Sequence, residues 1–304
     1  MIETTIVYAV IILLAFGLSY WAYRAQGDRS ARVGLLLLFG FPGGLIAVAG
    51  LVMAVTGRSL GPPLLAFGLA MLLPLLTPVR RVIARITPIE PTSAVDMTGL
   101  CILLPVIAVL LVQTASNREP PDSLDAVRSI DLVLQAIFEA ALAFAAVGWP
   151  VARSLTAAVR RLGLVRPTWR TPVAAVGFLV AAFILYAVVG VVAQIVQPEI
   201  FDELNRVTND LTAGVQNPWG AALLGMSAGI GEEAIFRGAL QPRFGIPLTS
   251  VAFALLHAPQ YGFSLIILGL FMVSVVLGVE RQRYGTSASM ITHALYNFVA
   301  VLAQ

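Results

Sequence analysis

The feature that most limits the fold of this chain is a series of apolar runs, each about as long as a membrane span. A helix needs roughly 20 apolar residues to cross a bilayer, where it must satisfy its own backbone hydrogen bonds. Only 12% of the 304 residues are charged, against about 25% in soluble domains. The runs lie at about 5–23, 33–55, 62–79, 95–113, 132–152, 173–196, 218–240, 246–262, 263–280 and 286–303. The sequence therefore predicts an all-α, polytopic transmembrane helical bundle of about ten spans, in a cell membrane that we expect to be a bacterial inner membrane.

The loops between these runs alternate in charge. Those at 24–32, 80–93 and 153–171 are rich in arginine, whereas those at 114–131 and 197–217 are mainly acidic. Because basic loops stay in the cytoplasm, the odd-numbered loops are predicted to be cytoplasmic and, with ten spans, both termini outside. The pI near 9.3 does not indicate nucleic-acid binding, since the arginines lie between apolar runs. The expected surroundings are a lipid bilayer.

Two of these loops have apolar residues at helical spacing. The segment 153–172 could form a basic amphipathic helix on anionic headgroups. The segment 199–211 could form a surface helix or a lid on the outer side. A solvated connector is an equal alternative for either segment.

The ionisable residues of the last runs are the candidates for chemistry. Both histidines of the chain, His257 and His293, lie in late apolar runs, and a run just upstream carries Glu232, Glu233 and Arg237. Ionisable side chains inside a membrane are rare and usually functional. Glu233 and Arg237 are four residues apart on one helix face, in the order that favours an ion pair. Glu232 is rotated by about 100° from Glu233, which leaves it as the free carboxylate and a candidate general base.

The two histidines extend this pattern. His257 follows Phe253 by four residues, and His293 precedes Asn297 by four, so the latter two share a helix face. At helical rise, the predicted topology places Glu232, His257, His293 and Asn297 roughly 10–18 Å from cytoplasmic span ends. They could therefore meet in one layer. The alternative is a glutamate pair near the membrane interface together with histidines that only pack.

Three patterns in this order, Glu-Glu-x-x-x-Arg, Phe-x-x-x-His and His-x-x-x-Asn, resemble the CPBP (CAAX protease and bacteriocin-processing, or Abi) family of intramembrane proteases. The resemblance covers about 173–303. It implies a CAAX prenyl endopeptidase-like enzyme that hydrolyses peptide bonds of membrane-associated proteins or peptides. It also implies a protease domain at 173–304, with the catalytic core in the last four or five helices, after an N-terminal transmembrane region at 1–172 of unknown role.

The resemblance assigns a role to each motif residue. Glu232 and His257 would position and activate the attacking water. Glu233 and Arg237 would hold the site together.

His293 and Asn297 would donate hydrogen bonds to the tetrahedral oxyanion. Participation of a metal stays open. A zinc-dependent metalloprotease could use His257, His293 and Glu232 and leave one position for water, whereas a metal-free glutamate protease could use the same side chains differently. Asn297 favours the metal-free alternative, because an amide is a poor zinc ligand and a good oxyanion donor.

Two other classes of function compete with this interpretation. A proton- or metal-coupled transporter could use the glutamates and histidines as a relay, and inverted repeats would favour it, but none is visible. A non-catalytic bacteriocin-immunity membrane protein would be favoured by loss of a motif residue, and none is lost. Glu139 is a further intramembrane carboxylate, for which we favour a water-filled gap or a hydrogen bond to a neighbour. Asp96 begins an apolar run, where a helix N-terminus stabilises negative charge.

Overall fold

The computed structural model describes residues 2–116, 125–262 and 264–304 of the chain. Within these ranges the secondary structure is helical, without a β-strand, which confirms the predicted all-α bundle. Glu119 and Asp122, which contribute to the predicted acidic loop at 114–131, lie outside the described residues.

Each predicted apolar run coincides with at least one helix. The first seven helices are α1 (Ile2–Arg24), α2 (Arg29–Val55), α3 (Gly61–Leu72), α4 (Thr77–Ile83), α5 (Ala94–Ser116), α6 (Ser129–Ala146) and α7 (Leu155–Arg161). The others are α8 (Arg170–Val196), α9 (Pro198–Thr212), α10 (Pro218–Glu233), α11 (Gln241–Leu256), α12 (Ala258–Tyr261), α13 (Ile266–Tyr284) and α14 (Thr286–Leu302). A π-helical segment, Ala234–Leu240, connects α10 to α11.

The helices include several of membrane-span length. In the described part of the chain, six helices are long and apolar enough to cross a bilayer, or up to seven if the bent pair formed by α3 and α4 counts as one. That pair is bent by 94°, where Pro74 lies in a 3-10 turn and Pro78 stands in the first turn of α4. Proline cannot continue the helical hydrogen-bond ladder. The chain is thus a multi-pass membrane protein, while the number of about ten spans and the loop orientation stay predictions.

Both loops with helical spacing contain a helix. The segment 199–211 lies in α9, whose Leu204 and Val207 are buried against the bundle. The basic segment 153–172 contains α7. Leu162, the residue directly after α7, is fully buried. The carbonyl oxygen of Leu162 accepts a hydrogen bond from Thr286 Oγ1 at 2.6 Å. Neither segment is only a solvated connector, and the second fixes the start of α14.

The helices before and after residue 172 are joined by polar contacts. Ser227 Oγ of α10 donates to the carbonyl oxygen of Leu132 in α6 at 2.6 Å. Asp96, in the first turn of α5, forms a salt bridge with Arg243 of α11. The predicted helix-terminus position of Asp96 is therefore also an ion-pair position. The division into regions 1–172 and 173–304 stays a prediction.

Candidate active site

The centre of the candidate site is a buried ion pair. Glu233 ends α10 and Arg237 follows one turn later in the π-helical segment, and both side chains are 0% exposed. Arg237 Nε lies 3.2 Å from Glu233 Oε2, so the predicted pairing on one helix face is present. The guanidinium also donates through Nη2 to Ser274 Oγ at 3.0 Å and lies 5.4 Å from the ring centroid of Phe253. Side chains of α11 and α13 therefore enclose the pair.

His293 contacts the same carboxylate from a third direction. This side chain, on α14, is buried, and its Nδ1 lies 3.1 Å from Glu233 Oε1. A carboxylate can only accept, so Nδ1 carries a proton. The start of α14 is fixed by two bonds from Thr286, through Oγ1 to the carbonyl oxygen of Leu162 and through its amide to that of Gly163 at 2.9 Å. The segment that follows α7 thus fixes the start of the helix that carries His293.

His257 is oriented by its own helix. It caps the C-terminus of α11, is half-buried, and has its Nδ1 2.8 Å from the carbonyl oxygen of Phe253. That oxygen is an acceptor, so in the neutral ring Nδ1 is protonated and Nε2 keeps a lone pair. The Phe253 ring lies 4.8 Å from the His257 ring and 5.9 Å from the His293 ring, between centroids. Phe253 therefore spaces the two histidines.

Glu232 differs from its neighbour Glu233. It is half-buried, and its Oε2 is buried without a hydrogen-bond partner among the described residues. It lies close enough to His293 and Tyr261 to interact with them electrostatically. No hydrogen bond joins it to His257 in the parts of the chain that the structure describes. The predicted free carboxylate is thus present, and its pairing with His257 stays a prediction.

Asn297 stands one turn after His293 on α14. It is half-buried and makes no hydrogen bond to another described residue. Its amide therefore has donors available for a ligand. The shared helix face with His293 follows from the spacing of four residues, and its role as an oxyanion donor stays a prediction.

Glu139 packs beside this site from α6. Its Oε1 accepts a hydrogen bond from Gln135 Nε2 at 3.0 Å, as expected for a carboxylate bonded to a neighbour. Its Oε2 is buried and lacks a partner in the described structure. A Cβ atom placed on Gly231 would lie 2.3 Å from that oxygen. The absence of a side chain at Gly231 therefore lets α6 bring Glu139 next to the residue that precedes Glu232.

The sequence did not single out several polar residues near the site. Glu280, in α13, is fully buried and accepts a hydrogen bond from Thr292 Oγ1 at 2.7 Å, directly beside His293 in the chain. The only signal for it was a carboxylate at the end of a predicted span. Ser274 and Tyr261 are uncharged, so their residue types gave no signal within apolar runs.

The residues that could hold zinc do not form a three-ligand set in this arrangement. Among the described residues, no group of three or more histidine, cysteine, aspartate or glutamate side chains is arranged to hold a metal ion. His293 Nδ1 contacts Glu233 and His257 Nδ1 contacts a carbonyl oxygen, which leaves the Nε2 atom of each ring free, so these contacts do not themselves exclude a ligand role. His257, His293 and Glu232 are nonetheless not arranged around one metal position among the described residues.

Taken together, these observations define a class: a multi-pass helical membrane protein with an acid–base cluster buried between its C-terminal helices. Residues 214–299 match the family model described as "Type II CAAX prenyl endopeptidase Rce1-like". All six motif residues lie inside this range. The match confirms the resemblance to the CPBP proteases over this region and supports an activity of the CAAX intramembrane endopeptidase type. Searches of curated proteins and of solved structures found no match.

Proposed function

We propose that the protein is an intramembrane endopeptidase that hydrolyses peptide bonds of membrane-associated proteins or peptides. The observation that carries this proposal is the buried Glu233–Arg237–His293 cluster, beside which Glu232 leaves a buried oxygen without a partner. A carboxylate that the protein itself does not satisfy is available for water or substrate. The family match over 214–299 supports the same activity.

In the proposed mechanism, Glu232 and His257 activate water. The Nε2 lone pair of His257 is the acceptor that its tautomer leaves free. A water molecule between the two side chains gives one proton to Glu232, the general base, while its oxygen attacks the peptide carbonyl carbon. The proton then passes to the leaving amine as the carbon–nitrogen bond breaks.

The developing oxyanion would be stabilised by His293 and Asn297. The Asn297 amide can donate a hydrogen bond to the oxyanion in its ordinary neutral form. Because His293 Nδ1 already donates to Glu233, a second donor at Nε2 exists only in the protonated ring. The negative charge of Glu233 stabilises that protonated ring, and Arg237 fixes Glu233 in place.

A second candidate is a proton-coupled carrier. Glu139 is half-buried and Glu280 is fully buried, on two other helices, and each has one buried oxygen without a partner among the described residues. Intramembrane carboxylates of this kind can form proton relays.

One experiment separates these functions. Purified protein in detergent or liposomes is incubated with membrane-anchored peptides, and products are identified by mass spectrometry. We expect cleavage, and a fall of about 10²–10⁴-fold in Glu232→Gln if Glu232 is the general base. Glu199→Gln, an exposed glutamate at the start of α9, is the matched control and should cleave like the unsubstituted protein.

The same liposomes report on transport. Proton or metal movement without any peptide cleavage would contradict the protease proposal and favour the carrier. Cleavage that survives in Glu232→Gln would contradict the assigned mechanism while leaving the activity in place.

A further inference from the structure

A cavity lies between α8 and α9. Its volume is about 290 Å³, and Tyr261 of α12 forms part of its wall. This volume is just below the roughly 300 Å³ at which small-molecule pockets begin. Its size therefore suits one side chain better than a whole ligand.

Tyr261 is the lining residue of the cavity that lies near the water-activating residues. α12 begins directly after His257, and Tyr261 is four residues further on, or about 6 Å along a helix axis. Tyr261 also lies close enough to Glu232 to interact with it electrostatically. An extended peptide advances about 3.3 Å per residue. A substrate side chain within roughly two residues of the attacked carbonyl could therefore reach the cavity.

The lining of the cavity determines what it can accept. Ala187 and Gly190 of α8 leave space on one side, and Phe201 and Leu204 of α9 close the other. The polar groups that line it, such as Thr208, are uncharged, and no charged side chain contributes among the described residues. Burying an unpaired charge there would be costly. Gln194 and Asn205 also line it, so the cavity favours an uncharged side chain over a charged one.

We infer that this cavity is the subsite for an uncharged side chain of the substrate beside the scissile bond. This inference rests on the proposed endopeptidase function. Residues of α8 and α9 precede the range 214–299 covered by the family match. The selectivity of this enzyme would thus be set by a part of the chain outside the matched region.

Gly190 offers a direct test. A Cβ atom placed there meets only Phe201 Cε2, at 4.0 Å, and Gly190 lines the cavity, so a leucine at this position should occupy part of its volume. The substrates are membrane-anchored peptides that carry alanine, leucine, phenylalanine or aspartate at each position around the cleaved bond. For Gly190→Leu we expect kcat/KM to fall about 10–200-fold for leucine and phenylalanine at one position and to stay unchanged for alanine there.

Gly177→Leu is the matched control, because it lies on the same helix and a Cβ there meets no atom within 4 Å. It should keep the original preference. Phe201→Ala enlarges the cavity from the other side, and we expect it to accept tryptophan at the same position. This second variant keeps the inference testable if Gly190→Leu does not fold.

The outcomes distinguish the subsite from the function. Cleavage with the same side-chain preference in Gly190→Leu and Phe201→Ala, or an equal loss for all peptides, overturns the subsite and leaves the endopeptidase proposal intact. Absence of cleavage by the unsubstituted protein overturns both.

Discussion

The buried ion pair makes a quantitative prediction about stability. Arg237→Met removes the cation but keeps an aliphatic chain against Phe253. Glu233, with a side chain that is 0% exposed, then retains only its contact with His293. Removal of one partner from a buried ion pair destabilises a protein by about 3–5 kcal/mol, because the other charge stays buried. At roughly 2 °C per kcal/mol, we expect the melting temperature to fall by about 6–10 °C.

The assay uses the single cysteine of the chain. Cys101 is free and 1% exposed, so a thiol-reactive dye reports unfolding in detergent. Arg24→Met is the matched control, because Arg24 and Asp28 also form an ion pair four residues apart but with side chains 59% and 34% exposed. Solvent screens such a pair, and the melting temperature should hardly change.

A double variant tests the reasoning itself. In Glu233→Gln/Arg237→Met the buried charge is gone, and the glutamine oxygen can still accept from His293 Nδ1. We expect this variant to recover most of the lost stability. Two results would contradict this reasoning: a double variant that melts as low as Arg237→Met, or Arg237→Met that melts like the unsubstituted protein. Either result would show that the ion pair does not stabilise the fold by compensating a buried charge.

Three further predictions concern activity and packing. Asn297→Ala should lower kcat by about 10²–10³-fold with little change in KM, because an oxyanion donor acts in the transition state; an equal effect on KM would contradict that role. A chelator should leave peptide cleavage unchanged, and loss that zinc restores would instead show a metalloprotease. Gly231→Ala should lower the melting temperature, because its Cβ would lie 3.1 Å from Glu139 Cβ and 3.2 Å from Ala136 Cα, in the α6 backbone; Glu139→Ala should restore little, and full restoration would place the strain in the Glu139 carboxylate instead.

The relations within one helix could be predicted from the sequence. The pairing of Glu233 with Arg237 and the position of His257 one turn after Phe253 depend on a helical repeat that is local to the chain. The apolar runs likewise predicted where helices lie, because a segment in lipid must be helical. The break between α3 and α4 was less predictable, since the apolar run continues through it and only the prolines indicate it.

Relations between helices could not be predicted in the same way. The contact of His293 with Glu233 joins residues that are 60 positions apart, and it depends on which helices adjoin. The same holds for Glu280 and Thr292, and for the cavity between α8 and α9. Helix packing in a membrane is governed by small residues and shape, so hydropathy alone carries little information about neighbours.

The four glutamates around the site differ in their hydrogen-bond partners, and this difference points to Glu232. Glu233 has an arginine and a histidine, Glu139 has Gln135, and Glu280 has Thr292 as partner. Glu232 alone among these four makes no hydrogen bond to another described side chain, whereas an Oε2 that is buried without a hydrogen-bond partner is common to all four. Glu232 is therefore the carboxylate of the four whose two oxygens both stay available to water or a substrate, as a group that activates water requires.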